Sequence, residues 1–223
     1  MNSCEINNIT WNLIERWDNI DRLKDNYPEF VSKILSEVVD TQYEDTIFRT
    51  VPWVMDQAIL YKDQISEIRV HSFLTHASDT YIHNHRNPFL SICLDWWYKE
   101  SIWGIEQEEW INTYQFNRSW GWNIGLNRVL NNCNLKEIAN RVHKKGNILI
   151  TDSSVYHSIA WLKDEVPPVT FILKHLRGKE DNQKWIIYSN NRIIEQASDT
   201  IRCSFIKEQE RIKLKIEEIL NIF

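Results

Sequence analysis

A succession of short apolar segments between residues 46 and 190 most constrains how this chain folds. Each segment is rich in β-branched or aromatic side chains and is bounded by turn residues, which is typical of β-strands. The segments span residues 68–74, 89–94, 147–151, 155–161, 169–173 and 185–188. A run of strands with helical patterns on both sides favours a mainly β domain, an antiparallel barrel or sandwich with helical additions.

Helical periodicity is found at both ends of the chain. Thr10 is a suitable N-cap for a first helix, and Pro28 begins a second one, whose apolar face holds Phe30, Ile34, Leu35 and Val38. Apolar residues recur at helical spacing from 204 to 222, among Lys and Glu. We therefore predict an N-terminal helical extension packed on the barrel (1–45), the barrel itself (46–200) and a C-terminal helix (201–223).

Composition excludes several classes of function. The formal net charge of -5 over 223 residues provides no basic surface for nucleic acid. No stretch approaches the roughly 18 consecutive apolar residues of a membrane span, and residues 1–10 lack the pattern of a signal peptide. The four cysteines are far apart, which favours a reducing compartment, so we expect a cytoplasmic protein.

The segment His83-Asn84-His85-Arg86 carries the clearest chemical signal. Residues two apart on a strand point to the same face of a sheet, so His83 and His85 are predicted to lie side by side. Two neutral imidazoles on one face form half of a transition-metal site. A third imidazole, from His157, would complete it.

Two motifs around these histidines resemble the signatures of the cupin family. The first signature runs G-x5-H-x-H-x3-E-x6-G, and the second runs G-x5-P-x-G-x2-H-x3-N. His83, His85, Gly146 and His157 match at the family's spacing. The other signature positions differ: here they hold Ala77, Phe89, Trp96, Asp152, Ser154 and Trp161.

A narrower resemblance covers roughly residues 65–190. Some uncharacterised bacterial single-domain cupins carry the line H-x-H-x3-F-x-S-x2-L-x-G-G-Y-x-E. This chain matches it except at the two glycines, which are replaced by Trp96 and Trp97; the matching residues are His83, His85, Phe89, Ser91, Leu94, Tyr98 and Glu100.

The resemblance implies a single jelly-roll β-barrel whose interior holds a divalent metal ion. His83, His85 and His157 would be its ligands, with Fe(II) favoured and Zn, Mn or Ni as alternatives. Phe89 replaces the usual fourth ligand, so the site resembles the three-His centre of the thiol dioxygenases. Ile172 and Lys174 stand where cysteine dioxygenase has a His and a Tyr, which argues against free cysteine as the substrate.

Three further residues are candidates for catalysis. Arg86 adjoins the ligand pair and suits a substrate carboxylate, although strict alternation turns it away from His85 and a surface salt bridge is an equal alternative. Tyr98 or Glu100 would supply an acid/base group, the alternative being exposed polar residues. Asp152 fits a turn better than a ligand. The remaining histidines are predicted to be bystanders that do not bind the metal, and His71 is the first candidate for an exception. They are His71, His76, His143 and His175.

The long segment 97–145 separates the two motifs. We predict a loop over 127–134 and a short helix over 135–141. Its several tryptophans would form either an aromatic wall for a substrate or packing beneath a long loop.

Three hypotheses of function follow from these features. The first is a non-haem iron oxygenase. The second is a non-redox metal-dependent isomerase, epimerase or decarboxylase in a small-molecule biosynthetic pathway. The third is a non-catalytic small-molecule-binding cupin. All three imply a small-molecule ligand, for which an amino acid or carboxylate is the candidate, and analogy with cupins suggests a homodimer.

Overall fold

The computed structural model describes residues 26–35, 46–51, 54–64, 66–74, 80, 82–85, 87–106, 112–118, 124–130, 134–161, 166–176, 184–188, 201–202, 214 and 217–218. Two seven-stranded sheets contain the strands of this part of the chain. All of their pairings are antiparallel.

The first sheet contains β1 (Ile47–Val51), β2 (Met55–Lys62), β3 (Ser66–Phe73), β5 (Phe89–Asp95), β10 (Ile148–Thr151), β12 (Val169–His175) and β14 (Ile201–Arg202). Their spatial order is β10-β5-β12-β3-β2-β1-β14. The second sheet contains β4 (Ile82–His83), β6 (Trp97–Glu106), β7 (Asn112–Arg118), β8 (Ile124–Leu130), β9 (Asn134–Lys144), β11 (Tyr156–Ala160) and β13 (Lys184–Tyr188). Their spatial order is β8-β7-β13-β4-β11-β6-β9.

The chain alternates between the two sheets from β3 to β6 and again from β10 to β13. This alternation is the topology of a jelly roll, so the predicted mainly β, jelly-roll architecture is confirmed. The predicted apolar segments correspond to β3, β5, β10, β11, β12 and β13, with ends that differ by no more than two residues.

A helix over residues 26–35, α1, lies against one face of the first sheet. Val31, Ile34 and Leu35 are at most 2% exposed and belong to the main core, and the ring of Phe30 meets that of Phe171 edge-on at 6.2 Å. Burial of such side chains stabilises the fold by about 1.5–3 kcal/mol each. We call the face covered by α1 the outer face. The predicted first helix, with Thr10 as its N-cap, lies outside the described residues, and α1 already includes Asn26, two residues before the predicted start at Pro28.

The opposite, inner face of the first sheet looks toward the second sheet. Phe89 shows this, because its ring contacts that of His85 at 4.5 Å and lies 6.3 Å from that of His157. Side chains alternate along each strand, and directly paired residues share a face. The inner face of β3, β5 and β12 can therefore be assigned from the register.

Two predictions for the segment between the motifs are wrong. Residues 127–134 were predicted to be a loop, but β8 extends to Leu130, and residues 135–141 form strand β9 instead of a helix. The side chains of 136–142 are all exposed, so burial does not alternate along them and the period-2 signal is missing. Tertiary pairing with β6 along ten residues determines the strand.

The predicted C-terminal helix does not begin at residue 201. Ile201 and Arg202 form β14, which pairs with β1, whereas Leu214, Glu217 and Glu218 are helical. Within the described residues, no helix has the length and apolarity needed to cross a membrane.

Candidate metal centre

Three histidines from the second sheet and its adjoining loop come together. His83 on β4 and His157 on β11 are directly paired, and His85 follows β4 by two residues. Nitrogen atoms of the three rings all lie within 4.8 Å of one another. The predicted pair and the distant third histidine are thus neighbours in space because two antiparallel strands place them opposite each other.

The orientation of His157 is determined by a buried carboxylate. Its Nδ1 lies 2.7 Å from Oε1 of Glu100, and both side chains are at most 2% exposed. A carboxylate in this position accepts the hydrogen bond, so Nδ1 donates and Nε2 of the neutral imidazole keeps its lone pair. This is the arrangement that commonly orients histidine ligands of metals.

The lone pair of His157 points at a second imidazole. Nε2 of His85 lies 2.8 Å from Nε2 of His157, and the ring of His83 lies 4.8 Å from each of the other two rings. Two ring nitrogens at this distance need a proton or a cation between them. Three imidazole donors suit a first-row divalent ion, so the residues present fit the metal that the resemblance implies.

Glu100 also binds a second histidine, which sequence analysis missed. Its Oε2 lies 3.0 Å from Nε2 of His143 and 3.4 Å from Nε of Arg141, both on β9. Burial acts to raise the pKa of Glu100, but the hydrogen bonds from His143 and His157 outweigh it and hold the pKa at about 2. His143 was predicted to be a bystander, and the residues before it, 135–141, were predicted to form a helix. A strand there would have placed Arg141 and His143 on one face.

The structure describes two of the three residues that were predicted to be catalytic, Glu100 and Tyr98. Glu100 and Tyr98 are 1% and 2% exposed, so the alternative of exposed polar residues is wrong. The carboxylate of Glu100 is directed at two histidines, as a group that orients a ligand would be. The ring of Tyr98 packs on that of His143 at 4.9 Å, and burial raises the pKa of its phenol. Arg86 lies outside the described residues.

Phe89 stands at the position of the fourth ligand in the first cupin signature. It is 5% exposed and its ring meets that of His85 edge-on. The side of the cluster nearest this ring is therefore apolar.

Asp152 accepts hydrogen bonds from the backbone and side chain of Ser154 at 2.8 and 2.7 Å and is exposed. The predicted turn there is confirmed.

No known family model matches this sequence, and no curated protein matches it. Solved structures do resemble its fold. An RmlC-like cupin from Shewanella frigidimarina NCIMB 400 is 12% identical, with 62% of this chain and 89% of that one covered and a TM-score of 0.39. KdgF from a Halomonas species is 9% identical. The match covers 59% of this chain and 89% of KdgF, with a TM-score of 0.37.

Hydroxypropylphosphonic acid epoxidase from S. wedmorenis is 9% identical, with 60% of this chain and 57% of that chain covered and a TM-score of 0.39. The two sheets and the alternation of the chain between them are the features that decide the fold. This chain has a jelly-roll fold. Within this barrel, the histidine cluster lies on and next to strands of the second sheet and faces the first one.

Proposed function

We propose that this chain is a metal-dependent enzyme that acts on a small molecule, and that it is a non-haem Fe(II) oxygenase. The supporting observation is the convergence of His83, His85 and His157, with His157 held by a buried carboxylate. A site that only filled the core with histidines would not need a buried charge to orient one of them, because burying that charge is costly.

The chain's own residues would have distinct roles at the metal site. The three histidines would hold the ion, and Glu100 would keep His157 in the tautomer that leaves Nε2 free to bind it. Phe89 would keep a carboxylate out of the coordination sphere and water away from that side. When bound, Fe(II) would supply redox chemistry with dioxygen and open positions for dioxygen and substrate.

The non-redox alternative receives less support from the site. An isomerase or epimerase needs a group that moves a proton at the substrate. Of the two acid/base residues predicted for this role, Glu100 is hydrogen-bonded by two imidazoles, and Tyr98 is buried against His143. Neither is arranged as a base for substrate, so we place oxygenase chemistry first.

The first experiment is metal analysis of protein purified without chelators or an affinity tag, beside His83→Ala, His157→Ala and the control His175→Ala. His175 ends β12 in the other sheet. We expect near-stoichiometric iron in the wild type and the control, loss of iron in the two cluster variants, and oxygen uptake with some member of a panel of thiols, amino acids and aromatic acids.

Stoichiometric zinc, nickel or manganese without oxygen uptake would overturn the oxygenase and favour isomerase or lyase chemistry. Protein that takes up no metal even after anaerobic reconstitution would overturn both enzymes and leave a binding barrel.

A further inference from the structure

The inner face of the first sheet carries buried hydroxyl groups, although side chains buried inside proteins are mostly apolar. Thr151 on β10 pairs directly with Phe89 on β5. Directly paired residues share a face, so Thr151 lies on the inner face beside Phe89. Because the ring of Phe89 contacts that of His85, Thr151 lies on the part of this wall that is next to the candidate metal centre.

Arg69 and Thr170 form a second polar point on the same wall. On β3, Ile68 and Val70 belong to the core under α1, so Arg69 points to the inner face. Thr170 on β12 pairs with His71, which follows Arg69 by two residues and shares its face. Diagonal neighbours of this kind lie about 7–8 Å apart, within reach of a long side chain. One ligand group could therefore contact both Arg69 and Thr170.

Each of these three side chains has an atom whose hydrogen-bonding capacity is unused. Thr151, Thr170 and Arg69 are 3%, 2% and 9% exposed. Oγ1 of both threonines and Nε of Arg69 are buried without a hydrogen-bond partner in the part of the chain that the structure describes. Valine has nearly the shape of threonine and suits a strand as well, so a purely structural wall would be better served by valine. Buried polar groups are seldom left unsatisfied, which points to a ligand here.

The bonds that Arg69 already makes indicate what kind of group the ligand offers. Its Nη1 lies 3.5 Å from Oε1 of Gln57, and its Nη2 forms an ion pair with Glu67. Both terminal nitrogens therefore have partners, and Nε is left to donate one hydrogen bond to one oxygen atom. A threonine hydroxyl both donates and accepts, as a ligand hydroxyl does, whereas a carboxylate only accepts. This combination favours hydroxyl groups over a carboxylate.

We propose that Arg69, Thr151 and Thr170 bind hydroxyl groups of an uncharged, polyhydroxylated substrate whose reacting end lies at the three histidines. This assignment rests on the proposed function and names its substrate class. Thr151, beside Phe89, binds the hydroxyl nearer to the metal centre, and Arg69 and Thr170 bind one further along the wall. Such a substrate replaces the amino acid or carboxylate that the sequence suggested.

The test uses the full chain, both metal-free and loaded with redox-inert Zn(II), titrated with two polyols and with alcohols of the same carbon number. Xylitol is compared with 1-pentanol, and myo-inositol with cyclohexanol, and binding is followed by chemical-shift changes in the protein's NMR spectrum. The variants are Thr151→Val and Thr170→Val, with Thr80→Val as the matched control. Thr80 is also buried, but its hydroxyl accepts a hydrogen bond of 2.8 Å from the backbone N–H of Ile159.

We expect wild-type protein to bind at least one polyol about tenfold more tightly than the matched alcohol, because each hydrogen bond to a ligand hydroxyl adds to the affinity. Thr151→Val and Thr170→Val should each weaken binding of that polyol about three- to tenfold. Neither should change the zinc content or the affinity for the matched alcohol. Thr80→Val should leave polyol binding unchanged.

Thermal unfolding without ligand separates this role from a structural one. Thr80→Val should lower Tm by about 2–4 °C, because the N–H of Ile159 loses its acceptor. Thr151→Val and Thr170→Val should not lower Tm, because they remove hydroxyls that have no partner within the protein. A loss of polyol affinity without a loss of Tm cannot arise from misfolding.

Three results would overturn the proposal. Polyols that bind no more tightly than their matched alcohols would show that hydroxyl groups are not recognised. Unchanged polyol affinity in both Thr151→Val and Thr170→Val would show that these hydroxyls contact only water. A lower Tm in both variants, as in Thr80→Val, would make the hydroxyls structural. Wild-type protein that binds no zinc would instead count against the proposed function, since the metal-free titration tests the wall alone.

Discussion

Nδ1 of His157 donates a hydrogen bond of 2.7 Å to Oε1 of Glu100, and neither side chain is more than 2% exposed. This bond connects a candidate metal ligand with a buried carboxylate, and through Oε2 of the same carboxylate with His143 on a third strand. The network makes the geometry of the site depend on residues that do not touch the ion.

Replacing the carboxylate should weaken metal binding without removing a ligand. In Glu100→Gln we expect metal affinity to fall about 10–100-fold, because the amide no longer favours the donating Nδ1 of His157 through its charge. Competition with a chromophoric chelator measures the change, and Glu137→Gln, an exposed carboxyl on β9, is the control. Unchanged affinity in folded Glu100→Gln would show that the hydrogen bond does not orient the ligand.

His143 should act through Glu100 and not independently. We expect His143→Ala to weaken metal binding less than Glu100→Gln does, and the double variant to be no weaker than Glu100→Gln alone. Residues that share one network show such non-additive effects. The same chelator competition gives all three affinities. Additive losses would mean that His143 stabilises the site by another route, for example through its stacking on Tyr98.

Restoring a carboxylate at position 89 should convert the site to four ligands. We expect Phe89→Glu to bind the metal more tightly but to be less stable without it, because the side chain is 5% exposed and its charge would be unpaired. Thermal unfolding with and without metal measures both effects, since a ligand that binds the native state raises Tm. Phe89→Gln is the uncharged control. A metal-induced rise in Tm no larger than that of wild type would contradict the prediction.

The ion pairs of Glu67 should make stability depend on acid pH. Burial acts to raise the pKa of this carboxyl, but the charges of Arg69, Lys174 and Lys62 and a hydrogen bond from Arg69 lower it from 4.5 to about 2. A depressed folded-state pKa adds stability above pH 4.5 that is lost as the pH falls toward 2. The free energy of unfolding should therefore decrease across this window by on the order of 2–3 kcal/mol.

Glu67→Gln should be less stable than wild type at pH 7, and the difference should shrink between pH 4.5 and 2. Urea denaturation at a series of pH values measures it. The exposed carboxyl variant Glu137→Gln should show a much smaller dependence because water screens its interactions. A difference between wild type and Glu67→Gln that stays constant over this range would argue against a charged Glu67.

Two turn residues with positive φ should respond in opposite ways to substitution. Gly146 has φ 85°, and a Cβ there would lie 3.0 Å from Cε1 of Tyr27. Trp96 has φ 62°, at a position where the cupin signature has glycine. We expect Gly146→Ala to lower the free energy of unfolding by about 1–2 kcal/mol, because it places a Cβ at a left-handed position. We expect Trp96→Gly not to lower the free energy of unfolding, because glycine removes the strain of a left-handed non-glycine residue. Urea denaturation of both variants compares them.

The parts of the fold and site that followed from sequence are those with local periodicity. Strands such as β5 and β12 are short, apolar and bounded by turns, so they can be recognised from sequence without knowing which strands they pair with. His83 and His85 are two residues apart, and strand geometry predicts that they share a face. They do lie side by side, although β4 ends at His83 and His85 belongs to the adjoining loop. The residues of the ligand-orienting network, Glu100 and His143, lie 43 positions apart and meet only because β6 and β9 pair.

The sequence by itself determined the mainly β architecture and the histidine spacing, because each depends on neighbours within one strand or one turn. Only the tertiary structure decided which strands pair, and with them three properties of the barrel. It made β9 a strand despite its exposed residues, placed Glu100 between two histidines, and brought Phe89 of the first sheet against His85. Contacts between distant segments arise from sheet register and barrel closure, which no local pattern encodes.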